Sequence, residues 1–251
     1  MHQFEIHSLF PGGFELGGQM ISFTNSALWM LLTLVVLWAF MLGGMKRELV
    51  PGRWQLMVEG FTNFVDDMLM QNIGEEGKKY APYVFSLFMF ILFANVLGLL
   101  PIGVLGAHPF TVTSHVTITG ILAIVSFSIV LIVGFGRHKL HFFSLFVPHG
   151  TPWPMIPFIF IVELLSFLVR PFSLGLRLFV AMTAGHILLK VLAGFVINSA
   201  NSGVQWGAIV GVPSLLLMVG ISALELLVAV VQAYVFALLT SLYINDAGNL
   251  H

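Results

Sequence analysis

The chain has 251 residues and a formal net charge of -1, and it is 58% hydrophobic but only 8% charged. Soluble domains carry about 25% charged residues, so these few ionic groups cannot cover a water-soluble body of this size. No basic patch of the kind that binds nucleic acid occurs, and the lack of cysteine excludes a disulfide frame, a thiolate nucleophile and a cysteine metal site.

The opening "MHQFEIHSLF" has neither the basic n-region nor the short apolar core of a cleavable leader. The first span is therefore expected to act as its own insertion signal. That span covers 24–45, long enough to cross a bilayer at about 1.5 Å per residue, and Lys46 and Arg47 follow at once. In 53–73, "RWQLMVEGFTNFVDDMLMQNI", Trp54, Met57, Val58, Phe61, Phe64, Val65 and Met68 recur at helical spacing. Glu59, Asn63, Asp66 and Asp67 fall between them. The pattern fits an amphipathic helix in the membrane surface, and equally one packed on other protein.

From Ala81 to Gly136 there is no Asp, Glu, Lys or Arg. The stretch "GAHPFTVTSH", residues 106–115, divides it into expected spans at 81–104 and 114–136. "GRHK", residues 136–139, closes the second, and the His-, Pro- and Trp-rich segment 140–153 reads as an interfacial loop. Two apolar runs remain, 154–197 and 204–244, separated by "NSANSG". Each is roughly 40 residues, or about 60 Å if helical, twice the hydrocarbon thickness. Neither has a polar turn for a hairpin. Pro171 and Pro213 more often kink a helix than reverse it. The expectation is an all-α integral membrane protein forming one membrane domain over 1–251, with five membrane helices and one amphipathic surface helix. The last two helices are long and tilted. Basic residues at span ends place the N-terminus, 106–115 and "NSANSG" outside and the C-terminus inside.

Between residues 140 and 245 only five side chains are formally charged: Glu163, Arg170, Arg177, Lys190 and Glu225. A central ionised group costs about 2.5–3.5 kcal/mol even on the lenient insertion scale, so intramembrane charges are functional candidates. Glu163, Arg170 and Arg177 are spaced by seven and share a face with only about 20° of drift per step. Ser166 and Ser173 lie on the same side. Glu225 and Gln232 are again seven apart, and Ala229, Ala233 and Ala237 form a strip of small residues suited to close helix contact. His186, nine residues after Arg177, points to the opposite side of a straight helix.

Bland roles exist for several of these. Arg170 could pair with Glu163 or bond backbone groups freed by Pro171; about 10 Å of rise separates it from Glu163, so a direct bond needs bending or water. Lys190 is expected to snorkel outward. His186 and Glu225 could each be buried partners of one another. His108, His115, His138, His141 and His149 sit in loops or at span ends, and their spacing makes no metal site. No phosphate loop or hydrolase pattern stands out, so no cofactor is expected. Arg177 stays protonated and has no anion close on its own face; the counter-ion could belong to another subunit.

"ELLSFLVRPFSLGLRLFVAMTAGH", residues 163–186, resembles the signature helix of subunit a of the rotary F-type ATP synthase, called subunit 6 in mitochondria. "ELLVAVVQAYVFALLTSLYI", residues 225–244, is similar to that family's last helix, and "FANVLGLLP", residues 93–101, to an earlier span. His186 with Glu225 resembles the mitochondrial and alphaproteobacterial branch. The resemblance implies two tilted helices against a ring of c subunits, with Arg177 as the essential arginine facing the ring's carboxylates. It implies that Glu163, Ser173, His186, Glu225 and Gln232 line or support aqueous half-channels, with Asn95 contributed by the neighbouring span. It further implies a proton-translocating stator subunit of the Fo sector, not catalytic alone, with the b and b′ subunits of the peripheral stalk, membrane lipid and protons as partners. A bacterial inner membrane is the expected location and a mitochondrial inner membrane the alternative. The family often has Asn four residues after the arginine; here it is Ala181. A proton-coupled secondary transporter is the rival reading; it would usually show repeated halves and broken helices.

Overall fold

The computed structural model describes residues 14–16, 19–21, 24–45, 52–100, 111–139, 142, 146, 153–201 and 207–248. Its helices are α1 Asn25–Gly44, α2 Arg53–Asn72, α3 Ala81–Leu99, α4 Val116–His138, α5 Ile156–Asn201 and α6 Val212–Gly248. All but α2 are long and apolar enough to cross a membrane. A short antiparallel hairpin, β1 Phe14–Leu16 with β2 Gln19–Ile21, precedes them and pairs Phe14 with Ile21. It is a small addition to the expected all-α architecture.

Local sequence explains where the helices begin and end. α3 carries Pro82 in its first turn, where a missing N–H costs nothing. It stops at Leu99, short of the expected 104, because Leu100 precedes Pro101 and is held extended (φ -65°, ψ 131°). α4 is rich in Val, Ile and Thr, which favour strands in water. In lipid each backbone group must be satisfied within its own segment, which makes such a run helical. It starts at Val116 because Val112–Ser114 forms a 3-10 turn closed by Ser114 Oγ donating to the Thr111 carbonyl at 2.7 Å. α5 runs through Pro171 without a break over 46 residues, about 69 Å of helix. α6 is preceded by a π-helical turn, Gly207–Gly211, and continues four residues beyond the expected end at 244, to Gly248. Contacts at that end hold the extra turn: Arg170 bonds Asp246, and His138 Nε2 lies 2.9 Å from the Gly248 carbonyl.

The bundle is organised around α3. Half of its most apolar window is buried, against 11% for the α5 stretch and 17% for the α6 stretch. Val84, Phe88, Met89 and Ile91 of α3 pack with Leu178 and Met182 of α5 and with Ala229, Ala233 and Phe236 of α6. The alanine strip is wholly buried: Ala229, Ala233 and Ala237 are each 0% exposed, which lets α3 and α6 approach closely. Gly175 does the same between α4 and α5, where an added Cβ would sit 3.1 Å from the Thr119 carbonyl.

α2 turns Val58, Val65, Met68 and Leu69 into the protein, against α1, α3 and α6, while Trp54, Met57 and Phe64 remain exposed. Only part of its predicted apolar stripe therefore needs a second surface. The 140–153 segment was expected to lie at the interface. Of its described members, Trp153 is 88% exposed, while Phe142 and Phe146 are buried and their rings meet Phe135, Phe160 and Phe167. Gly134 supplies the room for Phe142.

Candidate functional site

Three polar clusters run along α5 and α6. The first lies where residues 111–114, the C-terminal third of α5 and the N-terminal third of α6 meet. A cavity of about 640 Å³ opens there, with Thr111, His186, Lys190 and Ser222 as its polar walls and Gly98, Leu99, Met218 and Val219 among its apolar ones. Lys190 thus lines the cavity one turn from His186, instead of projecting away as the sequence led us to expect. The His186 side chain is 13% exposed and has polar neighbours on both sides. Its Nε2 lies 2.6 Å from Thr111 Oγ1, and its Nδ1 lies 3.6 Å from Glu225 Oε1.

Glu225 is 3% exposed, and neither carboxylate oxygen accepts a hydrogen bond among the described residues. The buried acid faces the imidazole at 3.6 Å. A buried carboxyl group without hydrogen bonds requires either a proton or an adjoining cation. Gly185 makes this placement feasible: an added Cβ there would lie 2.5 Å from Oε1 and 2.8 Å from Cδ.

Asn95 braces the neighbouring wall. It is 0% exposed, donates from Nδ2 to the Ala229 carbonyl at 3.1 Å, and accepts from Thr113 Oγ1 at 2.7 Å. It thereby ties α3 to α6 and to the turn that carries Thr111. Gln232, two turns beyond Glu225, is half-buried, and no hydrogen bond joins it to the His186–Glu225 pair among the described residues.

The second cluster is Arg177 with Ser173. Both line an open hollow of about 430 Å³ on α5 with Phe172, Leu176 and Val180. Arg177 is exposed, and no ion pair to it occurs among the described residues. Around it the surface is apolar: Phe172 is 67% and Val180 54% exposed. A permanent cation on such a face cannot be left in hydrocarbon without an anion or water.

The third cluster lies near the N-terminus of α5 and the C-terminus of α6. Arg170 Nη1 donates to Asp246 Oδ2 at 3.0 Å, while Glu163 stands 4.0 Å from the same guanidinium. The rings of Phe167 and Tyr243 flank it. Glu163 is thus a secondary anion, and Asp246, one residue beyond the 140–245 stretch, is the principal one. So Glu163 and Arg170 meet, His186 and Glu225 meet, Ser173 joins Arg177, and Asn95 sits behind Glu225's helix. Thr111, Thr113 and Asp246 were missed. The only sequence signal for the threonines was polar residues in a segment that reads as a loop.

The model of the family described as ATP synthase A chain matches residues 27–245 of this sequence. The chain is similar to ATP synthase subunit a of Sphingopyxis alaskensis, 72% identical over 252 aligned residues that cover 100% of this chain and 96% of the relative. It is also similar to the subunit a of Zymomonas mobilis, at 58% identity with 100% and 97% covered, and to that of Rhodospirillum rubrum, at 45% with 94% and 93% covered. The arginine without an ion pair among the described residues, and the buried acid beside a cavity histidine, therefore sit in a chain that belongs to the ATP synthase A chain family, a multi-pass membrane protein.

Proposed function

We propose that this chain is the proton-translocating stator subunit of the Fo sector of a rotary ATP synthase, and that its own residues form two half-channels to carboxylates on a c-ring. The observation that carries this reading is Arg177, a permanent cation on an exposed apolar face with no ion pair among the described residues. A moving carboxylate on another subunit supplies the missing charge.

In this reading the 640 Å³ cavity is the outer access path. A proton passes through it to the His186–Glu225 pair and on to a ring carboxylate, which then turns into lipid uncharged. Neutrality is required because an ionised carboxylate facing hydrocarbon is costly. When the site returns, Arg177 attracts the carboxylate form. Opposite charges about 4 Å apart gain about 4 kcal/mol at an effective dielectric of 20, part of which desolvation removes. That field drives proton release on the inner side, where Glu163, Arg170 and Asp246 form the polar exit. Arg177 also repels a free proton from crossing directly between the paths. A membrane potential adds about 2.3 kcal/mol per charge per 100 mV. Ser173 and Gln232 support the polar lining, and Asn95 fixes the wall.

The c-ring, the b and b′ stalk subunits and surrounding lipid are the partners in this reading. The location is a bacterial inner membrane, supported by the bacterial origin of the relatives. Catalysis of ATP synthesis belongs to other subunits. Neither the site nor the relatives favour a secondary transporter. Arg177→Ala, assembled with its partners in vesicles, is expected to abolish ATP-driven acidification; unchanged coupled pumping would eliminate the assignment. Exchanging the identities at 186 and 225 is expected to retain more transport than losing either side chain alone.

A further inference from the structure

We propose that Thr111 is a positioning residue that holds His186 in a single tautomer, with the hydrogen on Nε2, so that Nδ1 is the nitrogen that takes up and releases the translocated proton. This rests on the placement of His186 in the proton path. The argument is a count of hydrogens around one hydroxyl. Thr111 Oγ1 lies 2.6 Å from His186 Nε2 and 3.4 Å from the Gly98 carbonyl oxygen. A carbonyl only accepts, and a hydroxyl has one hydrogen to give. With both contacts made, the Thr111 hydrogen goes to Gly98, and its oxygen accepts from Nε2–H. The neutral ring then carries its lone pair on Nδ1, the atom 3.6 Å from Glu225 Oε1. Which nitrogen of a histidine is protonated is set by the bond the other makes.

The surroundings hold Thr111 for this task. It is only 6% exposed. Its carbonyl accepts from Ser114 Oγ, and the adjoining Thr113 is anchored through Asn95 to the Ala229 carbonyl. Gly98 is needed as glycine, because an added Cβ would lie 2.6 Å from both Oγ1 and Cγ2 of Thr111. That gives the glycine of "FANVLGLLP" a physical reason. The proton step balances simply. An Nδ1–H bond forms as hydronium in the cavity gives up a proton and is left as water. It breaks as an Oε1–H bond forms on Glu225, and the ring returns to neutral with Nε2–H untouched.

The test is the nitrogen-15 ring spectrum of His186 in the assembled, reconstituted complex, taken where the ring is neutral. The signals are identified as those missing from a His186→Gln complex. The wild type and Thr111→Ser are expected to show Nε2–H alone. Thr111→Val, which keeps the shape and removes the hydroxyl, is expected to show mixed tautomers and a several-fold fall in passive proton conduction through Fo. Nδ1–H in the wild type overturns the proposal, even where neither Thr111 variant assembles. So does a Thr111→Val complex whose His186 signals match the wild type, whatever its conduction. If His186→Gln conducts as the wild type does, the proton-path reading fails, whereas the tautomer assignment is judged by the spectrum alone.

Discussion

Gly185→Ala tests the contact on which the His186–Glu225 pair depends. Two effects oppose each other. Alanine is the better helix former by about 1 kcal/mol, so the substitution favours α5 taken alone. Its Cβ, however, would lie 2.5 Å from Glu225 Oε1 and 3.1 Å from Cγ, inside normal contact distance. Overpacking of this kind costs about 1–3 kcal/mol, and the pair relieves it by moving the carboxylate away. If Oε1 retreats by ~1 Å from its present 3.6 Å, the charged pair weakens from about 4.6 to about 3.6 kcal/mol at an effective dielectric of 20. One kcal/mol is about a fivefold change in a rate governed by that pair. The assay is passive proton conduction through reconstituted complexes at matched subunit content, with ATP-driven pumping in parallel. A fall of about fivefold with normal assembly is expected. Wild-type conduction in Gly185→Ala would refute the argument that this glycine makes space for a working carboxylate.

Asn95→Leu removes the acceptor of the buried Thr113 hydroxyl, which costs about 1–3 kcal/mol. The thermal midpoint of the complex is expected to fall, and adding Thr113→Val is expected to restore much of it; equal loss in the single and double variants would contradict the pairing. Asp246→Asn takes the nearest anion from Arg170. Both side chains are partly exposed, so the loss is about 0–1 kcal/mol, and amide exchange at 244–248 is expected to rise no more than about fivefold. Burial holds His115, at the start of α4, below its ordinary value of 6.5. The unfolded chain then binds more protons than the folded one once the pH drops through about 6.5, so stability falls with acidity and levels off below the folded value. The thermal midpoint is expected to fall more between pH 7.5 and 5.5 in the wild type than in His115→Gln.

The helices were legible because membrane spans write themselves in long uncharged runs. Their ends were legible only where a local rule acts. Leu100 is extended because Pro101 follows, which is readable; α6 runs on to Gly248 because Asp246 meets Arg170 and the Gly248 carbonyl meets His138, contacts from elsewhere in the chain, which are not. Seven-residue spacing placed Glu163 beside Arg170, but no spacing rule connects Arg170 with Asp246, 76 positions away. The same holds for His186 and Thr111, 75 apart. Phe142 and Phe146 lie in a segment whose average polarity reads as interface, yet two aromatic rings suffice to bury those positions among other rings. Lys190 was read from its distance to a helix end, and the cavity beside it depends on how α3, α5 and α6 meet. Glycines were the quietest signal: Gly98 and Gly185 matter through what a Cβ would strike, which only the packed structure reveals.

A high-resolution structure of the assembled complex gives the most direct measurement, the distance from the Arg177 guanidinium to the nearest carboxylate during rotation. A ring carboxylate coming within about 4 Å, directly or through one water, is the predicted result. A guanidinium satisfied by an acid of its own chain in every rotary state, with no rotor group in reach, would contradict it.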